Sequence, residues 1–278
     1  MNPKNNLFPK LVLLSGTPGT GKTSISNILK GIDNWYIFPL GEFIIEKNLY
    51  IEKDDARNTK IIDSDVVGLH AFAEIVKIIF NSRKLSLNTN YNALDNIDVI
   101  IVDSHYADIL IDGIARFKEN YEKNMKNFDL NVDLKDIKHL IRKFKDNESI
   151  IAIILRCEPY KLQKRLRKRE YNEYKVLENI QAEILGESTQ NMIEVLNAKH
   201  IFEINTTTLS KKEIAEKCKM IICESDKIQN HYKVGKIDWL AEMGKNGTYE
   251  KFFNTDVGNM EELEFFEGNV IHKRNDNK

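Results

Sequence analysis

One octapeptide near the start of the chain constrains the fold more than any other feature. Residues 16–23 read Gly-Thr-Pro-Gly-Thr-Gly-Lys-Thr and match the Walker A pattern G-x-x-x-x-G-K-[ST] in full. A continuous apolar run, residues 11–15, precedes them and apolar residues at helical spacing follow, so the motif lies between a buried strand and a helix. Gly16, Gly19 and Gly21 permit backbone conformations in which successive N–H groups face one anion. The octapeptide therefore predicts a phosphate-binding loop.

The roles expected of the loop side chains follow from the chemistry of a magnesium nucleotide. The Lys22 ammonium is expected to reach the β- and γ-phosphates of ATP, and the Thr23 hydroxyl to bind Mg²⁺. Ser24 is placed to donate to the α-phosphate, and the helix N-terminus near Thr23 adds a favourable dipole. A glycine-rich turn with an exposed lysine is the alternative, which the complete match in the correct context disfavours. The predicted ATP contacts in the loop are Gly16, Gly19, Thr20, Gly21, Lys22, Thr23 and Ser24.

Short apolar runs alternate with helical patterns over most of the chain. The runs predicted as buried strands cover residues 11–15, 35–38, 99–102, 150–155 and 201–204, and helices are predicted after the loop and over residues 63–80, 159–169 and 211–223. Strands that alternate with helices imply a doubly wound parallel sheet. The expected fold class is α/β, a P-loop NTPase with a parallel five-stranded sheet and helices on both faces.

Two segments fit this plan less well. Residues 107–147 lie between the third and fourth predicted strands, are charge-rich and helical in pattern, and are expected to form one or two extra helices on the surface. Residues 225–278 show no alternation of strand and helix, and their end, 272–278, has the composition of a disordered tail. We therefore expect one domain over residues 1–224, followed by a partly disordered C-terminal extension.

Charge and cysteine content exclude several classes of function. Lys and Arg number 41 against 42 Asp and Glu, a formal net charge of -1, which disfavours a protein that coats nucleic acid by bulk charge. No apolar run approaches the roughly 20 residues that a membrane helix needs. The three cysteines lack metal-ligand spacing and suit a reducing compartment. We expect a cytoplasmic protein with no membrane partner.

A second cluster of polar residues ends the third predicted strand. Asp103 comes directly after that strand, where the carboxyl edge of a parallel sheet places it beside the loop. It is expected to hold the Mg²⁺ shell through water, as a Walker B aspartate does, and a helix cap is the alternative. His105 lies two residues further on and is expected to orient a phosphate or a water, although a structural histidine is an equally open interpretation.

A basic helix follows the fourth predicted strand. Arg165 and Arg169 are four residues apart, so their guanidinium groups share one stripe of the helix. Forked arginine donors suit the oxygens of a transferring phosphoryl group. Taken alone, a basic helix is more often a solvated surface.

The sequence around these arginines resembles a known family. Residues 165–184 read RLRKREYNEYKVLENIQAEI, which is similar to the lid segment RLxxRxYNxxKxxxNIQxEI of the adenylate kinase isoenzyme 6 family and its archaeal members. That family pairs this segment with a GTPGxGKTT-type loop and an Asp-x-His motif, and both are present here at residues 16–23 and 103–105. The resemblance runs with gaps from about residue 8 to residue 223.

The resemblance implies a nucleoside monophosphate kinase of broad specificity. Such an enzyme transfers the γ-phosphate of ATP to AMP or another monophosphate with the help of Mg²⁺, and ATPase activity is also expected. Arg169 becomes a catalytic and ATP-binding arginine within a lid of about residues 168–178. The monophosphate-binding segment corresponds to about residues 39–62. The catalytic residues are then Lys22, Arg169, Asp103 and His105, the metal ligands Thr23 and Asp103, and the monophosphate contacts Glu42, Arg57 and Arg165.

The resemblance also implies an alternative function in ribosome assembly. Family members bind a small-subunit platform ribosomal protein and assist late processing of small-subunit rRNA, so an ATP-gated assembly factor acting on the pre-ribosomal small subunit, with residual kinase activity, stays open. Glu170 stands where the family's lid usually has glycine, and residues 107–147 are longer than the corresponding family segment. Residues 235–240, Gly-Lys-Ile-Asp-Trp-Leu, resemble a short motif near the C-terminus of archaeal members.

Three other classes of P-loop protein fit less well. A small-metabolite kinase of the same fold is disfavoured by the lid pattern. A GTPase is disfavoured because no Asn-Lys-x-Asp motif is present to bind guanine. An AAA-type ATPase is disfavoured because Ser104, and not a glutamate, follows Asp103.

Overall fold

The computed structural model describes residues 8–54, 59–88, 97–145, 149–245, 247–248 and 250–253. The strands are β1 (Lys10–Ser15), β2 (Trp35–Pro39), β3 (Glu52–Asp54), β4 (Thr59–Ile61), β5 (Val99–Asp103), β6 (Ile150–Arg156) and β7 (Ile201–Asn205). The helices of the first half are α1 (Lys22–Leu29), α2 (Leu40–Glu46), α3 (Ser64–Asn88), α4 (Ile109–Glu119), α5 (Tyr121–Asn127) and α6 (Leu134–Lys145). Those of the second half are α7 (Pro159–Arg167), α8 (Glu173–Leu185), α9 (Glu187–Val195), α10 (Lys211–Tyr232), α11 (Trp239–Lys245) and α12 (Glu250–Phe253).

Five parallel strands form the central sheet in the order β2-β5-β1-β6-β7. They are the five strands that the apolar runs predict, each longer by one residue at one end. Continuous Val, Ile and Leu runs form them because both faces of a parallel sheet are covered. In the register of the sheet, Leu14 is opposite both Asp103 and Ile153. The carboxyl ends of β1, β5 and β6 therefore meet at one edge, on either side of the central strand.

Helices cover both faces of this sheet, and alternate residues of β1 divide the core between them. Leu11 and Leu13 face the larger cluster, which α2, α3, α4 and α6 complete. Val12 and Leu14 face the smaller cluster, where Ile25 of α1 and residues of α10 pack. The predicted α/β fold with helices on both faces is confirmed. No helix among the residues that the structure describes is long and apolar enough to cross a membrane.

The prediction that residues 107–147 form extra surface helices is wrong in its placement. The segment is helical, but it makes three helices, α4 to α6, whose apolar residues belong to the larger core cluster. Its buried residues include Leu110, Phe117, Ile137, Leu140 and Phe144. Charged residues on the outer faces of these helices dominate the composition, whereas the apolar stripe between them decides the packing.

Two glycines allow α4 to lie directly on α3. A Cβ added to Gly113 would lie 2.0 Å from the carbonyl oxygen of Gly68, and one added to Gly68 would lie 2.2 Å from the carbonyl oxygen of Ile109. The two backbones are therefore in contact, which only glycine permits at both positions. This contact attaches α4 to the helix that follows the predicted monophosphate-binding segment.

The chain after residue 224 contains more regular structure than its sequence suggests. Helix α10 continues to Tyr232 beyond a non-helical residue at Glu224, and α11 and α12 follow it. Met243 and Phe252 join a third apolar cluster with residues of α7 and α8. The tail from residue 254, including the predicted disordered end at 272–278, lies outside the described residues.

We expect Gly113→Ala to lower the free energy of unfolding by about 1–3 kcal/mol or more, because the new methyl group meets a main-chain oxygen that cannot move without shifting a helix. Chemical denaturation followed by circular dichroism measures this loss. Gly244→Ala in α11 is the matched control, since a Cβ there meets nothing within 4 Å, and it should be neutral or slightly stabilising. Equal stabilities for the two variants would contradict the close approach of α3 and α4.

Candidate nucleotide-binding site

The predicted phosphate loop connects β1 to α1 at the carboxyl edge of the sheet. Gly16, Gly19 and Gly21 have φ angles of 134°, 95° and 114°, in the region that favours glycine. A Cβ at Gly16 would lie 2.3 Å from the carbonyl oxygen of Leu155 in β6, and one at Gly19 would lie 2.8 Å from the side chain of Leu162 in α7. The loop thus depends on glycine both for its turns and for its contact with β6 and α7.

The Lys22 side chain folds back over this loop. Its ammonium donates to the carbonyl oxygens of Gly16 at 2.5 Å and Thr17 at 3.2 Å. Burial lowers the pKa of Lys22 to about 8, the negative charges of Asp103 and Glu183 oppose that shift, and Arg169 adds to it. Lys22 therefore lies within the electrostatic reach of the other predicted site residues, and its charge is lost at a lower pH than that of an ordinary lysine.

Thr20 and Ser24 have different surroundings within the loop. The Thr20 hydroxyl is buried and donates to the carbonyl oxygen of Thr17 at 2.8 Å. The carbonyl oxygen of Thr20 accepts from the hydroxyl of Thr206 at 3.2 Å, just beyond β7. Ser24 lies half-buried in the first turn of α1. Both the side chain and the main chain of Thr20 therefore shape the loop.

The two predicted metal ligands are neighbours. The Asp103 carboxylate accepts hydrogen bonds from Ser26 at 2.8 Å and from the hydroxyl of Thr23. Burial raises the pKa of Asp103, while Ser26, Lys22 and Thr23 oppose the rise and Glu42 adds to it. A hydroxyl and a carboxylate at one point are oxygen donors of the kind that Mg²⁺ takes together with phosphate and water. The described residues contain no cluster of three His, Cys, Asp or Glu side chains that would hold a metal without such partners.

His105 lies on the wall of the site as a neutral ring. Burial lowers its pKa to about 3, and the positive charges of Lys22 and Lys175 add to the shift. The residue is exposed to the cleft, and the centroid of its ring lies 3.8 Å from that of Tyr106. Its main-chain oxygen accepts from the hydroxyl of Ser15 at 3.2 Å. His105 is thus positioned to exchange a hydrogen bond with a phosphate or water, but it brings no positive charge of its own.

Two adjoining chambers open around the loop. The first, which we call the loop chamber, has a volume of about 350 Å³ and is lined by the phosphate loop together with Glu42, Asp103, His105 and Arg169. The second, the lid chamber, has a volume of about 510 Å³ and is lined on its polar side by Lys60, Lys175, Asn179 and Glu187. Pro18, His105 and Tyr171 line both chambers. The loop therefore faces two compartments that meet at one wall.

The predicted lid is a tight turn followed by the first turns of a helix. Helix α7 ends at Arg167, and α8 begins at Glu173 with Asn172 as its N-cap. Glu170 has a φ of 58° in this turn, a conformation that a residue with a side chain adopts at a cost of roughly 1–2 kcal/mol. Glycine would adopt the same conformation without this cost.

The structure does not bring all of the predicted monophosphate contacts together. Glu42 follows β2 and lines the loop chamber, whereas Arg165 donates to the carbonyl oxygen of Thr206, beyond β7, at 2.9 Å. Strands β2 and β7 are the opposite edges of the sheet, so Arg165 and Glu42 lie on opposite sides of the loop. Arg57 lies outside the described residues.

Sequence reasoning missed the lysines that line the lid chamber. Lys60 belongs to the short hairpin of β3 and β4, and its ammonium lies 4.0 Å from the centroid of the Tyr50 ring. Lys175 and Asn179 are four residues apart on α8 and face the same chamber. The spacing on α8 was visible within the lid pattern, whereas the role of Lys60 depends on the fold of a hairpin with no strong strand signal.

A glycine loop between a buried strand and a helix, facing the switch point of a parallel sheet, is how the P-loop class holds a nucleotide, and this chain has that fold and that loop. A family model described as "AAA domain" matches residues 12–186. A protein named "Putative adenylate kinase" from Methanosarcina barkeri is 31% identical over 234 residues, which cover 83% of this chain and 97% of the relative. The corresponding protein of Methanosarcina acetivorans is 30% identical over the same shares. The chain belongs to this family of archaeal adenylate kinase relatives, which confirms the resemblance carried by the loop and the lid.

The description of the matching model includes the AAA name, whereas the serine that follows Asp103 disfavours an AAA-type ATPase. A solved structure of thymidylate kinase from Candida albicans is 14% identical with a TM-score of 0.38 and covers 80% of this chain and 94% of that chain. That superposition is too loose to bear on the site.

We expect the affinity for ATP to fall as the pH rises above 8, because the pKa of Lys22 in the folded protein is about 8 and only the charged ammonium attracts the phosphates. The Kd should increase by up to about tenfold per pH unit between pH 8 and 10. Isothermal titration with ATP at several pH values measures it. Lys22→Arg keeps its charge over this range and should give a nearly constant Kd; a constant Kd for the wild type would contradict the assignment.

Proposed function

We propose that this protein is a nucleoside monophosphate kinase that transfers the γ-phosphate of ATP to AMP or another monophosphate. The observation that carries the proposal is the pair of chambers that meet at His105, one lined by the phosphate loop and one lined by two lysines. Phosphoryl transfer between two nucleotides needs two phosphate-binding compartments that meet at the reacting atom. The printed name of the relatives supports the same activity.

The loop chamber takes the phosphates of ATP in this proposal. Main-chain N–H groups of the loop and the Lys22 ammonium bind the β- and γ-phosphates. Thr23 and, through water, Asp103 would hold Mg²⁺, which supplies neutralisation of the charge on those oxygens. Lys22 leaves the carbonyl oxygens of Gly16 and Thr17 when it binds the phosphates. Its ammonium then donates to charged phosphate oxygens in place of two neutral carbonyl oxygens.

The lid chamber takes the monophosphate. Lys60 and Lys175 provide positive charge, and Glu178, Asn179 and Glu187 provide hydrogen-bonding groups. Arg169 lies exposed at the rim of the loop chamber, on the turn of the lid. There its guanidinium binds the equatorial oxygens of the phosphoryl group as it passes from donor to acceptor.

Arg165 belongs to the donor side in this proposal and not to the monophosphate site. Its guanidinium contacts Thr206, and the hydroxyl of Thr206 in turn contacts the carbonyl oxygen of Thr20 in the loop. A nucleoside attached to phosphates in the loop chamber extends towards this edge of the sheet, because β2 and α2 occupy the other side. The acceptor contacts are therefore assigned to Lys60 and Lys175 in place of Arg165.

The finer predictions from the family resemblance keep their status as predictions. They are ATP hydrolysis without a monophosphate, binding of a small-subunit platform ribosomal protein, a role on the pre-ribosomal small subunit, and a cytoplasmic location. A measurement of inorganic phosphate separates hydrolysis of ATP from phosphoryl transfer, because hydrolysis releases inorganic phosphate and transfer does not.

We expect the purified protein to convert ATP and AMP to ADP in the presence of Mg²⁺, and to accept at least one other monophosphate. A steady-state screen of nucleoside monophosphates, with nucleotides separated by chromatography, measures this. Lys22→Ala should lose nearly all turnover because it removes the charge nearest the transferred phosphate. If no monophosphate is phosphorylated while ATP is hydrolysed faster with the ribosomal protein, the assembly factor is the correct function.

We expect Arg169→Ala to reduce kcat by about a thousandfold, in the range of other arginines that stabilise phosphoryl transfer. The matched control is Lys168→Ala, which removes an exposed positive charge one residue earlier in the same turn and should leave kcat within about twofold, as expected for a solvated surface charge. Similar kinetics for the two variants would remove Arg169 from the reacting centre.

A further inference from the structure

The short motif at residues 235–240 has no part in the site described so far, yet it contains a buried residue, Trp239, that contacts the same carboxylate as the phosphate loop. Lys233 forms a bridge with Phe202 of β7, Gly235 turns the chain with a φ of 84°, and Trp239 begins α11. The Trp239 side chain is 5% exposed. The C-terminal extension thus returns to the carboxyl edge of the sheet and inserts an indole into it.

The indole binds a buried carboxylate. The Nε1 group of Trp239 donates to Oε1 of Glu183 at 3.0 Å. The same oxygen accepts from Nε of Arg156 at 2.8 Å and from the main-chain N–H of Cys157 at 3.0 Å. Glu183 is 1% exposed, and a carboxylate in such a place requires hydrogen bonds and positive charge to offset its lost hydration. Trp239 is therefore one of three donors that hold one oxygen of Glu183.

The other oxygen of Glu183 holds the phosphate loop. The hydroxyl of Thr17, the second residue of the motif, donates to Oε2 of Glu183 at 2.5 Å. The carbonyl oxygen of Thr17 in turn accepts from the Lys22 ammonium and from the main chain and hydroxyl of Thr20. The charge of Glu183 also raises the pKa of Lys22 against the effect of burial. One carboxylate thus connects the C-terminal segment to both the shape and the charge of the loop.

A second carboxylate ties the same segment to this network. Glu203 accepts from the Arg156 guanidinium at 2.8 Å and from the Thr189 hydroxyl at 2.8 Å, and its other oxygen accepts from the main-chain N–H of Gly235 at 2.9 Å. Glu183 and Glu203 together raise the pKa of Arg156 despite its burial. One guanidinium balances two carboxylates here, so neutral donors must complete the coordination. The main-chain N–H of Gly235 is such a donor to Glu203, and the indole N–H of Trp239 is such a donor to Glu183.

We propose that Trp239 is a positioning residue for the phosphate loop: its indole N–H orients Glu183, which holds Thr17 and thereby the conformation of the loop that binds ATP. The inference rests on ATP binding at the loop, as proposed above, and adds that the loop depends on the C-terminal extension. Glu183 lies near the C-terminal end of α8, and the predicted lid includes the first turns of the same helix, so the segment also holds the C-terminal end of α8.

Trp239→Phe tests the proposal because it removes the N–H and keeps a large buried ring. We expect the Kd for ATP, measured by isothermal titration of the full chain, to rise about tenfold, in the range for a lost hydrogen bond to a charged group. Thr17→Val removes the hydroxyl that donates to Glu183 and should raise the Kd for ATP by a similar factor. Because both act through Glu183, Trp239→Phe should add less than about twofold in the Thr17→Val background.

Phe252→Leu is the matched control for a general loss of C-terminal packing. Phe252 is fully buried in the extension and packs on Tyr160 and α8, but its side chain belongs to the third cluster and not to the Glu183 network. This variant should lower the melting temperature and leave the Kd for ATP within about twofold, since the Phe252 side chain makes none of the hydrogen bonds that hold Glu183 and Thr17.

Each outcome decides between the two proposals. If the wild-type chain binds ATP and Trp239→Phe binds it with the same Kd, the positioning role alone is overturned. Additive effects of Trp239→Phe and Thr17→Val, or an equal loss of affinity in Phe252→Leu, would also overturn it. Absence of ATP binding by the wild-type chain would overturn the proposed function together with this inference. A tenfold, non-additive loss confined to Trp239→Phe and Thr17→Val would support it.

Discussion

The carboxyl ends of β1, β5 and β6 lie side by side, and every part of the site is placed by that alignment. The loop leaves β1 and lies so close to β6 that Gly16 has no room for a Cβ beside the Leu155 oxygen. Asp103 ends β5 and meets Thr23 and Ser26 on the first turns of α1. Because the three strands are parallel and adjacent, groups that are far apart in the sequence converge on one anion-binding edge.

Buried charged residues also hold the phosphate loop at this edge of the sheet. Arg156 at the end of β6 lies between Glu183 and Glu203, and this group of three charges is almost completely removed from water. Such a group is stable only when each oxygen has a donor, and the donors come from the loop, from α9 and from the C-terminal extension. The network therefore makes the conformation of the loop depend on parts of the chain that never touch a phosphate.

The lid shows how local strain and function coincide. Glu170 adopts a left-handed conformation in the turn that carries Arg169 to the rim of the loop chamber. Arg167 and Glu173 form an ion pair at 3.1 Å across that turn, which closes it despite the unfavourable φ. The two helices that this turn joins, α7 and α8, share one apolar cluster with α11 and α12.

The sequence alone predicted those elements whose pattern is formed by residues that are neighbours in the chain. The five apolar runs predicted the strands, the octapeptide predicted the loop and its helix, and the order of Asp103 after β5 predicted its place beside Thr23. These succeed because a parallel strand buried on both faces and a glycine loop each leave a continuous pattern. The core position of α4 to α6 was not predictable from composition, since charged outer faces outnumber the apolar stripe that packs.

Only the tertiary structure decided how distant residues combine. Sheet order separated Arg165 from Glu42, although both were expected at one monophosphate, and it brought Lys60 and Lys175 to one chamber from opposite halves of the chain. It also joined Trp239 to Thr17 through Glu183, over more than two hundred residues of sequence. A hydrogen bond between side chains so far apart leaves no periodic trace in the sequence, because it depends on where folded elements meet and not on their own patterns.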